Sequence, residues 1–154
     1  MKRWFHRALV TLLIHLAAVT PLWAALGQSI ASVERDRSAV HGQGQGTPGN
    51  GYSIETITTA GMTIKEYVAS DGVVFAITWR GTGAPDLSLL LGSYFDEYRE
   101  GLTALKSRTP RTRRPMVLKT AHLVLERAGH SRYMWGRVFV PTLLPATVSL
   151  EDIQ

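Results

Sequence analysis

The stretch Ile64 to Gly81 reads IKEYVASDGVVFAITWRG, and its reading decides the fold. β-Branched and aromatic residues dominate on both sides of Asp71-Gly72, a dipeptide that favours tight hairpin turns because both positions tolerate positive φ. A two-residue turn there pairs Ser70 with Val73, Val68 with Phe75, Glu66 with Ile77 and Ile64 with Trp79. One face of the hairpin then carries Ile64, Val68, Val73, Phe75, Ile77 and Trp79 as a core face, with Glu66 among them.

The strand before it begins at Tyr52 and turns at Ala60-Gly61. A two-residue loop would set Glu55 opposite Glu66, and like charges in that position repel. A three-residue loop that pairs Glu55 with Lys65 is therefore expected. After the hairpin, Pro85 and Asp86 open a helix. Leu87, Leu90, Leu91, Tyr94, Tyr98, Leu102 and Leu105 recur at spacings of three and four, which is one apolar stripe. Gly92 lies within it, at a cost of about 1 kcal/mol relative to Ala, so close packing on the sheet is expected there. The helix must stop before Pro110. Ala121 to Arg127 and Arg132 to Val140 read as two more strands, joined at Ala128-Gly129-His130. The order β-β-β-α-β-β predicts an α+β domain over residues 52–145: an antiparallel sheet with one long amphipathic helix on one face.

Outside that domain the reading is coarser. Residues 1–24 have the three regions of a secretory leader: Lys2, Arg3 and Arg7, an apolar run from Ala8 to Val19, then Pro21 and Ala24. The run is too short for the ~20 residues a bilayer span needs. A cut after Ala24 is expected, giving a protein exported to the periplasm or medium with no stable membrane span. Residues 25–51 read as an N-terminal segment ending in a flexible Gly-rich linker, HGQGQGTPGNG, from His41 to Gly51. Residues 146–154 read as a tail.

Of the 17 basic residues, three lie in the leader, which leaves 14 against 12 acidic ones. That balance argues against a general nucleic-acid binder. There is no cysteine, so neither a disulfide nor a thiolate is available. The histidines after the leader, His41, His122 and His130, lack metal-ligand spacing, and no metal or other cofactor is expected.

The stretches Ala25-Leu26-Gly27, KEYVASDGVVFAITWRG (Lys65–Gly81), PDLSLLLGSYFDEY (Pro85–Tyr98) and GHSRYMWGRVFVPTLLP (Gly129–Pro145) resemble, in order, a bacterial family known as domain of unknown function 2844. The resemblance implies an exported protein of Gram-negative bacteria. It implies no activity and supplies no catalytic residue.

Glu66 is the most informative polar residue, because a carboxylate on a core face must be paired or neutral. Arg132, Arg137 and His130 are its candidate partners. As a structural pair they tie two hairpins together; as chemistry, Glu66 with His130 or Arg132 would serve a hydrolase or isomerase. The stretch 106–119 is a basic loop in which Arg111, Arg113 and Arg114 are candidates for holding anionic envelope polymers. Trp135, beside Met134 and Gly136, is a candidate anchor for a partner. The reading favoured over both alternatives is a non-enzymatic binding protein or envelope-assembly accessory, whose partner and oligomeric state the sequence leaves open.

Overall fold

A computed structural model describes residues 26–29, 43–108, 115–130 and 132–154. The predicted leader and Arg111, Arg113 and Arg114 of the basic loop lie outside the described residues. The strands are β1 (Gln43–Pro48), β2 (Tyr52–Thr58), β3 (Met62–Ala69), β4 (Val74–Gly81), β5 (Met116–Lys119), β6 (Val124–His130) and β7 (Tyr133–Phe139). They form one antiparallel sheet in the order β1-β2-β3-β4-β7-β6-β5. Helices α1 (Leu87–Leu91) and α2 (Phe95–Arg108) carry the chain from β4, in the middle, to β5 at the far edge. The α+β class is as expected, with two strands, β1 and β5, beyond the five the sequence suggests.

The helices cover one face. Leu87, Leu90, Leu91 and Tyr98 pack there with Ile64, Val68, Ile77, Trp79, Leu125 and Val138. Leu26 is fully buried in the same core, held by Leu26 N–H to Leu90 O at 2.9 Å and Gly27 N–H to Val74 O at 2.8 Å. Gly136 lies opposite Trp79, and an added Cβ would meet the indole at 2.2 Å.

Four local expectations are corrected. The Asp71-Gly72 turn is a three-residue loop: Gly72 N–H bonds Ala69 O, Gly72 has φ 85°, and Ala69 N–H bonds Val73 O. This is the hydrogen-bond pattern of a three-residue hairpin loop with glycine in the left-handed position, and it moves the register by one. A bulge between Tyr67 and Val68 moves it back, so Glu66–Ile77 and Ile64–Trp79 pair as predicted while Val68 faces Val74. Phe75 consequently packs on the opposite face with Tyr67. Second, Glu55 does lie opposite Glu66. The Glu55 carboxylate extends over Gly46 of β1, where a Cβ would come within 2.8 Å of Oε1; the missing side chain lets it lean toward the sheet edge.

Third, the one long helical span is present as expected, but Gly92 does not sit within a continuous helix. Gly92, at φ 49° and ψ −119°, ends α1, and a 3-10 turn over Gly92–Tyr94 leads into α2. Asp86 is the cap of α1, accepting from Ser88 N–H at 2.9 Å. Fourth, Gly129 and His130 belong to β6, whose register with β7 runs to His130–Tyr133. Strand β6 therefore runs three residues beyond its expected end at Arg127, and β7 begins at Tyr133. The supposed linker forms edge strand β1, whose backbone pairs with β2 although it has no apolar residue.

The supposed tail is also part of the fold. Leu143, Leu144, Val148 and Ile153 cover Tyr67, Phe75, Ala76 and Phe139 on the sheet face away from the helices. Tyr67 Oη donates to Gln154 O at 2.6 Å and accepts from Gln154 N–H at 2.9 Å. Burial, the largest influence, pushes the Tyr67 phenol above its ordinary value, while hydrogen bonding to the Thr78 hydroxyl and to Gln154 acts against it. A raised phenol pKa means the folded state prefers the neutral ring. Its contribution is complete below the unfolded value of about 10 and is lost as pH rises through the folded one. Tyr67→Phe should cost about 1–2 kcal/mol for the two hydrogen bonds and remove this alkaline dependence. Urea unfolding of parent and variant at neutral and alkaline pH checks both statements.

Candidate functional site

Alternation along the strands sends Thr63, Lys65, Thr78, Arg80, Trp135, Arg137 and Glu126 to the face the helices do not cover. The C-terminal segment covers only one half of that face. The other half is a cleft of about 510 Å³, walled by Ile153 and Gln154 and floored by the polar side chains of β3, β4, β7 and β6. Such a volume lies within the ~300–1,000 Å³ usual for small-molecule sites.

Two cross-strand rows make the floor. In the first, Lys65, Thr78, Arg137 and Glu126 stand opposite one another in turn. Arg137 is held there: its Nε and Nη2 both reach Glu126 Oε2 at 2.9 Å, and Nη1 donates to Leu150 O at 2.8 Å. Lys65 Nζ donates to Gln154 O at 3.1 Å. These contacts fix the wall to the floor. In the second row, Thr63 faces Arg80 and Arg80 faces Trp135. Arg80 is exposed, and none of the ion pairs among the described residues involves it. Tyr133, 43% exposed, continues the aromatic line two residues along β7. Among the lining side chains are three cations, Lys65, Arg80 and Arg137, and one carboxylate, Glu126, with aromatic rings on one side.

The sequence-predicted site residues do not converge. Glu66 is 1% exposed and belongs to the helix-covered face, as expected. His130 and Arg132 are exposed at the β6–β7 turn. Val138 is the β7 residue in line with Glu66, and it is five positions from Tyr133, about 17 Å at the ~3.4 Å rise of a strand. Arg137 stands on the other face and is paired with Glu126. The expected tie between Glu66 and the last hairpin is therefore absent as far as Arg132, Arg137 and His130 are concerned. A double-mutant cycle of Glu66→Gln and Arg132→Met should be additive within ~0.5 kcal/mol in urea unfolding; coupling above ~1 kcal/mol would contradict this separation.

One polar pair was not foreseen. Glu97, which is not part of the helix's apolar stripe, accepts from His122 N–H at 2.9 Å and has Oε2 3.2 Å from His122 Nδ1. Partial burial would raise its pKa, but hydrogen bonds from Thr120 and His122 outweigh that and hold the carboxyl below its ordinary value. It is a clamp between α2 and the β5–β6 turn. Among the described residues, no three His, Asp or Glu side chains gather as a metal site, and no helix is long and apolar enough to cross a membrane.

A helix-covered antiparallel sheet with a basic, aromatic-edged recess on its other face defines a small α+β domain. The chain belongs to the family described as a protein of unknown function, DUF2844, which matches residues 23–153. No curated protein and no solved structure matches it.

Proposed function

We propose that this chain is an exported protein that acts by binding, in the periplasm or outside the cell, as an accessory to envelope or surface assembly. The observation that carries the reading is the cleft, with its pre-positioned Arg137, its exposed Arg80 and its line of Trp135 and Tyr133. Export is supported by the leader-like order of residues 1–24 and by a family match that starts at residue 23, beside the expected cut. Catalysis by Glu66 with His130 or Arg132 has less support, because Glu66 is far from both and faces the core.

The test uses the full chain expressed with its leader. Protein recovered from the periplasm or medium should begin at Ala25. An extract of cell-envelope material should raise its thermal midpoint and leave that of Trp135→Ala unmoved. Intact Met1 on a membrane-bound product would refute export. Equal midpoint shifts in parent and variant would refute binding at the cleft.

A further inference from the structure

We propose that the cleft takes a carboxylate-bearing pyranose, the uronic-acid unit of an acidic saccharide. The inference rests on the binding reading above and adds its ligand class.

Arg80 and Trp135 stand directly opposite each other on neighbouring strands, so a guanidinium and an indole rise from one row of the floor, about 4.8 Å apart at the backbone. Arg137 and Lys65 are committed to Glu126, Leu150 and Gln154. Arg80 is not so committed among the described residues, and its planar fork suits bidentate pairing with a carboxylate. The neighbouring cations make the cleft positive, which favours an anion and is screened by salt.

The aromatic rings determine what carries that anion. Trp135 and Tyr133 follow each other along one strand on one wall, where alternate residues are about 7 Å apart. They form a rail. A planar aromatic ligand is best held between two facing rings, whereas a pyranose lays its C–H face on a single ring and turns its hydroxyls outward. Opposite the rail, Thr63 offers a hydroxyl group that both donates and accepts, while the Thr78 hydroxyl is buried and engaged with Tyr67. A phosphate would be expected to draw several converging cations, and among the described residues of the cleft the cation without an ion pair or hydrogen bond to the fold is the Arg80 fork, beside two rings.

Trigalacturonic acid and its fully methyl-esterified form are the probes, titrated calorimetrically into protein recovered from expression of the full chain. The acid should bind, and the ester should bind at least tenfold more weakly. Arg80→Gln should weaken the acid at least tenfold and leave ester binding unchanged; Trp135→Ala should weaken both. Arg80 is exposed, so the thermal midpoint of Arg80→Gln should match the parent and show that the fold is intact. Equal binding of acid and ester overturns the proposal, as does an Arg80→Gln variant that binds the acid like the parent. If the acid fails to bind while envelope extract still distinguishes the parent from Trp135→Ala, the ligand class is wrong and the binding reading stands. If both fail, both are wrong.

Discussion

Gly136→Ala should destabilise the domain by at least ~3 kcal/mol, at the upper end of the range for overpacked cores. The added Cβ would stand 2.2 Å from Cζ2 and 2.5 Å from Cε2 of Trp79. Neither partner can yield easily. Gly136 is paired on both sides, to Trp79 of β4 and Arg127 of β6, and Trp79 is 2% exposed beneath the helices. Against a typical total of 5–15 kcal/mol, such a loss leaves a marginal protein. Trp79→Phe, which removes the colliding ring, should rescue part of it, with a coupling above ~1 kcal/mol in a double-mutant cycle. Urea midpoints of the four proteins measure this, and a Gly136→Ala variant as stable as the parent would show that the indole has room to move.

Leu26→Ala should cost about 2–5 kcal/mol, the range for emptying a fully buried leucine site. Leu26 fits between α1 and β4, and its backbone and that of Gly27 are bonded to Leu90 and Val74. Val74 N–H returns a bond to Gln28 O at 3.0 Å, so the segment lines the end of β4. The same unfolding measurement decides it: a loss below ~1 kcal/mol would mean that this short segment detaches without disturbing the core.

Much of this arrangement is legible in the sequence, and the exceptions have physical causes. The apolar stripe Leu87, Leu90, Leu91 and Tyr98 and the pairs Glu66–Ile77 and Ile64–Trp79 follow from periodicity and one turn signal. The placement of Phe75 does not, because a loop shift and a compensating bulge cancel two pairs further on and leave no trace in composition. Strand β1 is hidden for another reason: Gln-Gly repeats give no side-chain pattern, and the strand exists through its backbone bonds to β2. The repulsion argument at Glu55 failed because it weighed the direct neighbour and not the space over Gly46. For the cleft, the sequence exposed Trp135 and Arg137 as residues of interest but offered Arg137 only as one candidate partner of Glu66, and it pairs with Glu126. Seeing Lys65, Arg80 and Arg137 on one floor requires the strand order β3-β4-β7-β6, and seeing its wall requires that residues 146–154 return to the sheet. Neither is written in local spacing.

The central claim is that the uncovered half of the sheet, and neither the helices nor the basic loop, is the binding surface. The most direct measurement is a ¹H–¹⁵N correlation spectrum of the labelled protein with and without envelope extract. The account predicts that the Trp135 indole N–H and the amides of Lys65, Thr78 and Arg80 move while those of α2 and of residues 109–114 stay in place. Shifts confined to α2 or to residues 109–114, with the Trp135 indole unmoved, would contradict it.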